Sequence, residues 1–235
     1  MSAVLNKVVK AVKPGVTTAQ LDEIAQREIE LAGGDPSFKG YGEGNNSYPA
    51  ALCTSVNEQI VHGIPSEYIL KQGDIIGLDI GMRYPKKNGL YTDMAMSVGV
   101  GKIDSQSALL IKVTRQALNI WIKHLKPGVK IMSIARKVQK HIEDSGFGVV
   151  RDLVGHGVGH KVHEDPQIPN YFAPNMDFEL KEGMVLAFEP MVSAGDYRIV
   201  VEDDGWTYST ADGSLAAHFE HTVAITKLGC EVLTR

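Results

Sequence analysis

The sequence predicts an α+β fold made of two related halves, and three echoes along the chain predict it. Lys13-Pro14-Gly15-Val16 is answered by Lys126-Pro127-Gly128-Val129. Lys71-Gln72-Gly73 and Lys181-Glu182-Gly183 each open an apolar run that ends in an acid, Asp79 and Glu189, at the same distance from the glycine. Each half then sets a second acid behind an aromatic and ahead of an alternating strand, in Tyr91-Thr92-Asp93-Met94-Ala95-Met96 and in Phe219-Glu220-His221-Thr222-Val223. The order is the same both times. The expectation is a single domain, residues 1–235, whose halves span about 1–104 and 105–235 and are related by a pseudo-twofold axis.

Taken in order, residues Val4 to Val12 read as a short amphipathic helix. Thr17-Thr18 caps a second helix whose apolar positions Leu21, Ala25 and Ile29 recur every fourth residue, ending at Gly33-Gly34. Strands follow at Ala51 to Val56, Asp74 to Ile80 and Tyr91 to Val100. The second half repeats the plan. A helix from Ser105 to His124 carries Leu109, Val113, Leu118 and Trp121 near one face, and Ile134, Val138 and Ile142 mark another that Gly146 closes. Strands are then expected at Val149 to Leu153, Met184 to Pro190, Asp196 to Asp203 and His218 to Thr226. Helices followed by strands, twice, predict a curved and mostly antiparallel sheet covered by helices on one face.

The 235 residues, 43% hydrophobic, suffice for a sizeable core. A net charge of -4 and a pI near 6.1 leave no footprint for nucleic acid or an anionic membrane. Arg83 with Lys86-Lys87, and the lysines from Lys123 to Lys130, read as solvated loops and helix ends. The only cysteines, Cys53 and Cys230, lie far apart, so neither a disulfide framework nor a thiolate zinc site is expected, and a reducing cytoplasm fits. Nothing approaches the ~20 apolar residues of a membrane span, and residues Met1 to Lys13 lack the pattern of a signal peptide.

The sharpest local motif is Gly155-His156-Gly157-Val158-Gly159-His160-Lys161-Val162-His163-Glu164-Asp165-Pro166. Flanking glycines leave the His156 imidazole uncrowded, and both His156 and His163 are placed on a loop between strands, where function concentrates. His62, in Val61-His62-Gly63-Ile64-Pro65, is a further functional candidate. His124 and His141 fall on helices and receive no role, while His160, His218 and His221 stay undecided. Asp79 and Glu189 each end an apolar run, where an isolated carboxylate is costly to bury. Four converging carboxylates repel one another unless a cation lies between them. With one imidazole they make a mostly hard donor set, suited to Mn, Fe(II), Co or Mg. Four negative charges balance two divalent ions, spaced in such sites by roughly 3.5–4 Å.

These residues resemble the type I methionine aminopeptidases, a family of duplicated pita-bread fold, over nearly the full chain. The strings that carry the likeness are Val61-His62-Gly63-Ile64-Pro65, Gly155-His156-Gly157-Val158-Gly159, His163-Glu164-Asp165-Pro166, Phe188-Glu189-Pro190-Met191-Val192, Asp204-Gly205-Trp206-Thr207 and Phe219-Glu220-His221-Thr222. The resemblance implies a ligand set of Asp79, Asp93, His156, Glu189 and Glu220 around two divalent ions (cobalt, manganese or iron(II) first, with zinc, nickel or magnesium as alternatives). It implies that Asp79 serves one ion, His156 and Glu189 the other, and that Asp93 and Glu220 bridge them. A hydroxide shared by the ions would attack the scissile carbonyl, with Glu189 moving its proton. His163 would steady the tetrahedral intermediate and His62 would contact the scissile nitrogen or leaving group. The implied substrate is a peptide or nascent chain with a free N-terminal methionine and a small second residue. Its side chain would enter a pocket with Tyr48, Cys53 and Trp206, and with Phe38, Tyr41 and Val162 on a looser match; as residues alone, Phe38 and Cys53 read equally well as ordinary core. A cytoplasmic monomer with at most a weak association with the ribosome is the implied setting.

Two departures from the family's pattern stand out, an insertion at 42–47 on the pocket rim and a longer hairpin at 82–89 between Asp79 and Asp93. The start before Lys13 is also short. Two other functions fit parts of the pattern. A proline-directed aminopeptidase or dipeptidase of the same fold generally carries a large N-terminal domain, absent from this sequence; a binding protein that had lost its metals would not be expected to keep all five ligands.

Overall fold

The computed structural model describes residues 1–42, 44 and 46–235. Two helices open it, α1 (Ser2–Ala11) and α2 (Thr18–Leu31). Thr17 Oγ1 accepts from the Gln20 N–H and the Gln20 side chain accepts from the Thr17 N–H, a reciprocal cap that stabilises the start of α2 by ~1 kcal/mol. Leu21, Ala25 and Ile29 are fully buried, so the four-residue spacing is the core face of α2. The strands that follow are β1 (Asp35–Pro36), β2 (Leu52–Val56), β3 (Gln59–Val61) and the long hairpin of β4 (Ile75–Tyr84) and β5 (Leu90–Gly99).

The second half opens with α3 (Ser105–His124) and α4 (Ile131–Asp144). Its strands are β6 (Gly148–Val149), β7 (Gly155–Gly157), β8 (Glu164–Ile168), β9 (Val185–Phe188), β10 (Met191–Ser193), β11 (Ile199–Val201), β12 (Tyr208–Thr210), β13 (Ala216–His218), β14 (His221–Thr226) and β15 (Gly229–Val232). The expected strand at 149–153 shrinks to β6, and the expected strand at 184–190 breaks at Glu189-Pro190 into β9 and β10.

The duplication is visible in the backbone. Gly15 and Gly128 hold φ of 92° and 82°, and Gly73 and Gly183 hold 98° and 89°. The hydrogen bonds repeat as well. Gly15 N–H donates to Leu70 O as Gly128 N–H donates to Leu180 O, and Leu70 N–H donates to Val16 O as Leu180 N–H donates to Val129 O. Each half has its own apolar cluster. Leu5, Leu21, Ile29, Leu78 and Ile80 centre one, and Trp121, Ile134, Val138, Phe188 and Val223 the other.

Among the described residues the strands form four antiparallel groups. In β4 and β5 the ladder runs unbroken from Ile75↔Gly99 to Tyr84↔Leu90, so the long hairpin adds its turn at the tip, beyond the acids. The halves meet where β3 pairs with β12 and along a seam beside β5. Met96 bridges Phe219, Glu220 and Ala95 exchange backbone hydrogen bonds, and the Thr222 hydroxyl donates to Asp93 O while accepting from Asp93 N–H.

Candidate metal centre and substrate cavity

The acids are brought together by register. On β4 and β5, Asp79 lies opposite Ala95 and Asp93 opposite Gly81, so the two carboxylates are diagonal neighbours on one face of the hairpin. Across the seam, Glu220 lies opposite Ala95. Phe188↔His221 and Met191↔His218 flank a gap in which the same register sets Glu189 against Glu220. Asp79, Ala95, Glu220 and Glu189 therefore form one row over four adjacent chain segments. The small side chain of Ala95 leaves open the space that the carboxylates surround.

Glu189 is braced from behind. The Trp121 indole donates to Asn170 Oδ1 at 2.9 Å, and Asn170 Nδ2 donates to Glu189 O at 3.1 Å. His156 stands on β7, not on the expected loop, and its flanking glycines have a different purpose from the one expected. A Cβ at Gly155 would strike Ala187 O and one at Gly157 would strike Asp165 O, so they admit the neighbouring strands. His156 Nδ1 lies 2.9 Å from Gly157 O, which only accepts, so the ring proton is on Nδ1 and Nε2 faces the acids bare. That nitrogen is 3.4 Å from Glu189 Oε1.

Among the described residues, Asp79 Oδ1, Asp93 Oδ1 and Glu220 Oε1 are buried without a hydrogen-bond partner. Burial, and then the mutual charge of the cluster, raises these acids. Desolvation takes Asp79 to about 6, with the Glu189 charge adding to it against an opposing His218. Glu189 rises to about 7 by desolvation, opposed by His156. Asp93 and Glu220 are pushed well above the carboxylate range by desolvation and by their acidic neighbours. Orphaned oxygens and raised acids in one row are the signature of a site built around positive charge. Three sets, Asp79 with Asp93 and Glu220, His156 with Glu189 and Glu220, and Asp93 with His156 and His163, each offer donor atoms within 4.8 Å of one another. The donor set fits divalent cations, and it shares Glu220 between two positions.

A cavity of about 120 Å³ adjoins the row. Phe38, Tyr41, Tyr48, Cys53 and Trp206 all line it, with His62 and His163. Val162 does not; it is buried behind, packed with Phe38, Tyr48 and Cys53. The Tyr48 hydroxyl donates toward Gly63 O and Leu52 O, and its ring meets Trp206 edge-on. Burial pushes the Cys53 thiol up, so it stays neutral and apolar in the wall. Leu153, Val154 and Met191 also line the space and carried no sequence signal beyond being apolar. His62 takes φ of 59°, a left-handed backbone that costs a non-glycine residue ~1–2 kcal/mol, and burial lowers its imidazole to about 4. His163, at the mouth, is held below the ordinary imidazole range by partial desolvation and then by His156 and His62.

One member of the site was left undecided by the sequence. His218 Nε2 lies 3.5 Å from Glu189 Oε2, so the Glu189 carboxylate stands between two imidazoles. Strand alternation across Phe219 puts His218 and Glu220 on the same face, the signal that could have found it. His221 points away and contacts Thr234. Of the insertion at 42–47, Glu43 and Asn45 lie outside the described residues; Asn46 Oδ1 accepts from the Trp206 indole at 3.2 Å.

A pseudo-twofold α+β fold with buried acids and an imidazole along its seam defines a metal-dependent hydrolase. The match to the family model of metallopeptidase family M24 covers residues 1–227, and the chain belongs to that family. Methionine aminopeptidase 1 of Bacillus subtilis is 48% identical over 96% of this chain and 88% of its own length. The methionine aminopeptidase of Clostridium perfringens is 47% identical over 98% and 90%. The crystal structure of methionine aminopeptidase from Thermotoga maritima superposes with a TM-score of 0.94 at 45% identity, covering 100% of this chain and 92% of that one. A prolidase from Pyrococcus horikoshii, at 20% identity and a TM-score of 0.77, shares the fold.

Proposed function

We infer that this chain is a metal-dependent aminopeptidase that removes N-terminal methionine from peptides and nascent proteins, preferring a small second residue. The observation that carries this reading is the row of Asp79, Glu220 and Glu189, with Asp93 and His156 beside it, opening onto a cavity walled by Phe38, Tyr48, Cys53 and Trp206. Two divalent cations, cobalt, manganese or iron(II), would be held by Asp79, Asp93, His156, Glu189 and Glu220. Bound there, they would offset the carboxylate charge, acidify a water and polarise the scissile carbonyl.

The chain's own residues supply the rest. Glu189 takes a proton from the attacking water and returns it to the departing amine. His163 donates to the carbonyl oxygen as its charge grows, and neutral His62 contacts the scissile nitrogen or leaving group. Phe38, Tyr41, Tyr48, Cys53 and Trp206 enclose the methionine thioether, a side chain that suits an adaptable apolar wall. The substrate's free α-amine belongs at the Asp79 end of the row, which restricts cleavage to the first residue. We take residues 1–235 as one catalytic domain acting as a cytoplasmic monomer, with ribosome contact weak at most. No helix among the described residues is long and apolar enough to cross a membrane.

Peptide hydrolysis tests the reading. The metal-loaded chain is expected to release methionine from Met-Ala-Ser and to leave Ala-Pro intact; the reverse preference would make it a proline-directed enzyme. His163→Ala is expected to lower turnover ~10²–10³-fold with metal content spared.

A further inference from the structure

One polar contact in the cavity mouth has no part in the chemistry above. The Tyr41 hydroxyl lies 2.7 Å from His163 Nδ1, and the two rings meet edge-on with centroids 5.0 Å apart. Tyr41 is aimed by its backbone. Its N–H donates to Phe38 O at 2.8 Å, its carbonyl accepts from Tyr48 N–H at 2.7 Å, and Gly40 N–H donates to Tyr48 O at 2.8 Å. The chain is therefore pinned at the base of the 42–47 excursion, whatever the excursion itself does.

A phenol is a good donor and a poor acceptor, whereas the bare nitrogen of a neutral imidazole accepts well. The contact is best satisfied with the Tyr41 O–H donating to Nδ1, which leaves the ring proton of His163 on Nε2. His156, whose ring centroid is 4.5 Å from that of His163, is held the other way round, with its proton on Nδ1 against Gly157 O. The neighbouring imidazoles thus carry opposite tautomers, one bare toward the acids and one armed as a donor. We propose that Tyr41 is a positioning residue, whose hydroxyl holds His163 in the Nε2–H tautomer that donates to the peptide carbonyl. The proposal rests on the role given to His163 above.

Nitrogen-15 NMR of the full chain, with Zn²⁺ as a diamagnetic probe ion, reads the tautomer directly. Signals are assigned by their loss in His163→Gln. The wild type is expected to show protonated Nε2 and a bare, hydrogen-bonded Nδ1. Tyr41→Phe keeps the ring in the cavity wall and is expected to populate the second tautomer, with kcat on Met-Ala-Ser falling about tenfold and KM changing less than about twofold. Tyr41→Leu, which also loses the ring, should raise KM as well. A proton on Nδ1 in the wild type overturns the proposal, as does a Tyr41→Phe variant whose tautomer or kcat is unchanged. If His163→Ala keeps its turnover, the role of His163 fails instead, and the NMR result still stands on its own.

Discussion

In the first half of the molecule, Asp79 and Asp93 sit inside an unbroken ladder, diagonal to each other across β4 and β5. In the second, Glu189 and Glu220 occupy the gap of an interrupted one, directly opposed between the Phe188↔His221 and Met191↔His218 pairs. Like charges set opposite each other destabilise a pair of strands, and Pro190 removes a ladder donor at the same point. The first acid of each pair follows its glycine at the same distance, yet the two pairs differ in support. Regular strand backbone fixes the aspartates. The glutamates stand where the chain breaks step, and tertiary contacts hold them: Asn170 on Glu189 O, and Ala95 with Glu220.

That difference can be broken at several points. Removing an acid from either side should have the largest effect. Asp93→Asn and Glu220→Gln are each expected to cost at least the ~10²–10³-fold in turnover of losing one transition-state group. Glu220→Gln should also raise the melting temperature of the metal-stripped chain by relieving repulsion from Asp93 and Glu189. Calorimetry with parallel peptide assays checks both.

Next in size, Asn170→Ala should lower turnover ~10–100-fold, the usual cost of losing a supporting contact behind a ligand. Among the described residues no side chain braces Asp79 in the same way. A change of less than twofold would show that the interrupted ladder holds Glu189 unaided.

Metal removal exposes the acids as a pH-dependent liability. Asp79 and Glu189 have folded-state values of about 6 and about 7, above their ordinary 3.8 and 4.5. Their contribution to stability is therefore fully present below about 4 and is lost as pH rises through 6 to 7. The chelated chain should melt progressively lower across that window, while the metal-loaded chain should not, and a flat profile for the chelated chain would contradict the raised values. Smallest of all, Thr222→Val strands two buried backbone groups of Asp93 at the seam and should cost about 1–3 kcal/mol by denaturant unfolding.

Much of this was legible in the residues themselves. The repeated Lys-Pro-Gly-Val and Lys-x-Gly strings became paired glycines of positive φ with matching hydrogen bonds, because local turn chemistry is set by a few residues. The five candidate ligands meet, since Asp79, Asp93 and His156 lie within β4, β5 and β7 while Glu189 and Glu220 adjoin β9 and β14, strands whose register is fixed by their buried faces. What escaped reading depends on distant chain. β7 is a three-residue glycine-flanked strand made possible only by the backbones of β8 and β9 beside it, and β8 contains Pro166. His218 joins the site because Met191 pairs with it across the gap, and Ala95 matters because three acids surround it. Alternation across Phe219 is the one local signal for His218, and no local pattern announces Ala95.

An anomalous-scattering map from crystals grown with Mn²⁺ would test the shared centre most directly. The account predicts two peaks along the row, one among Asp79, Asp93 and Glu220 and the other among His156, Glu189 and Glu220. A map with no ordered ion there, or with Mn²⁺ bound only by surface acids away from Ala95, would contradict it.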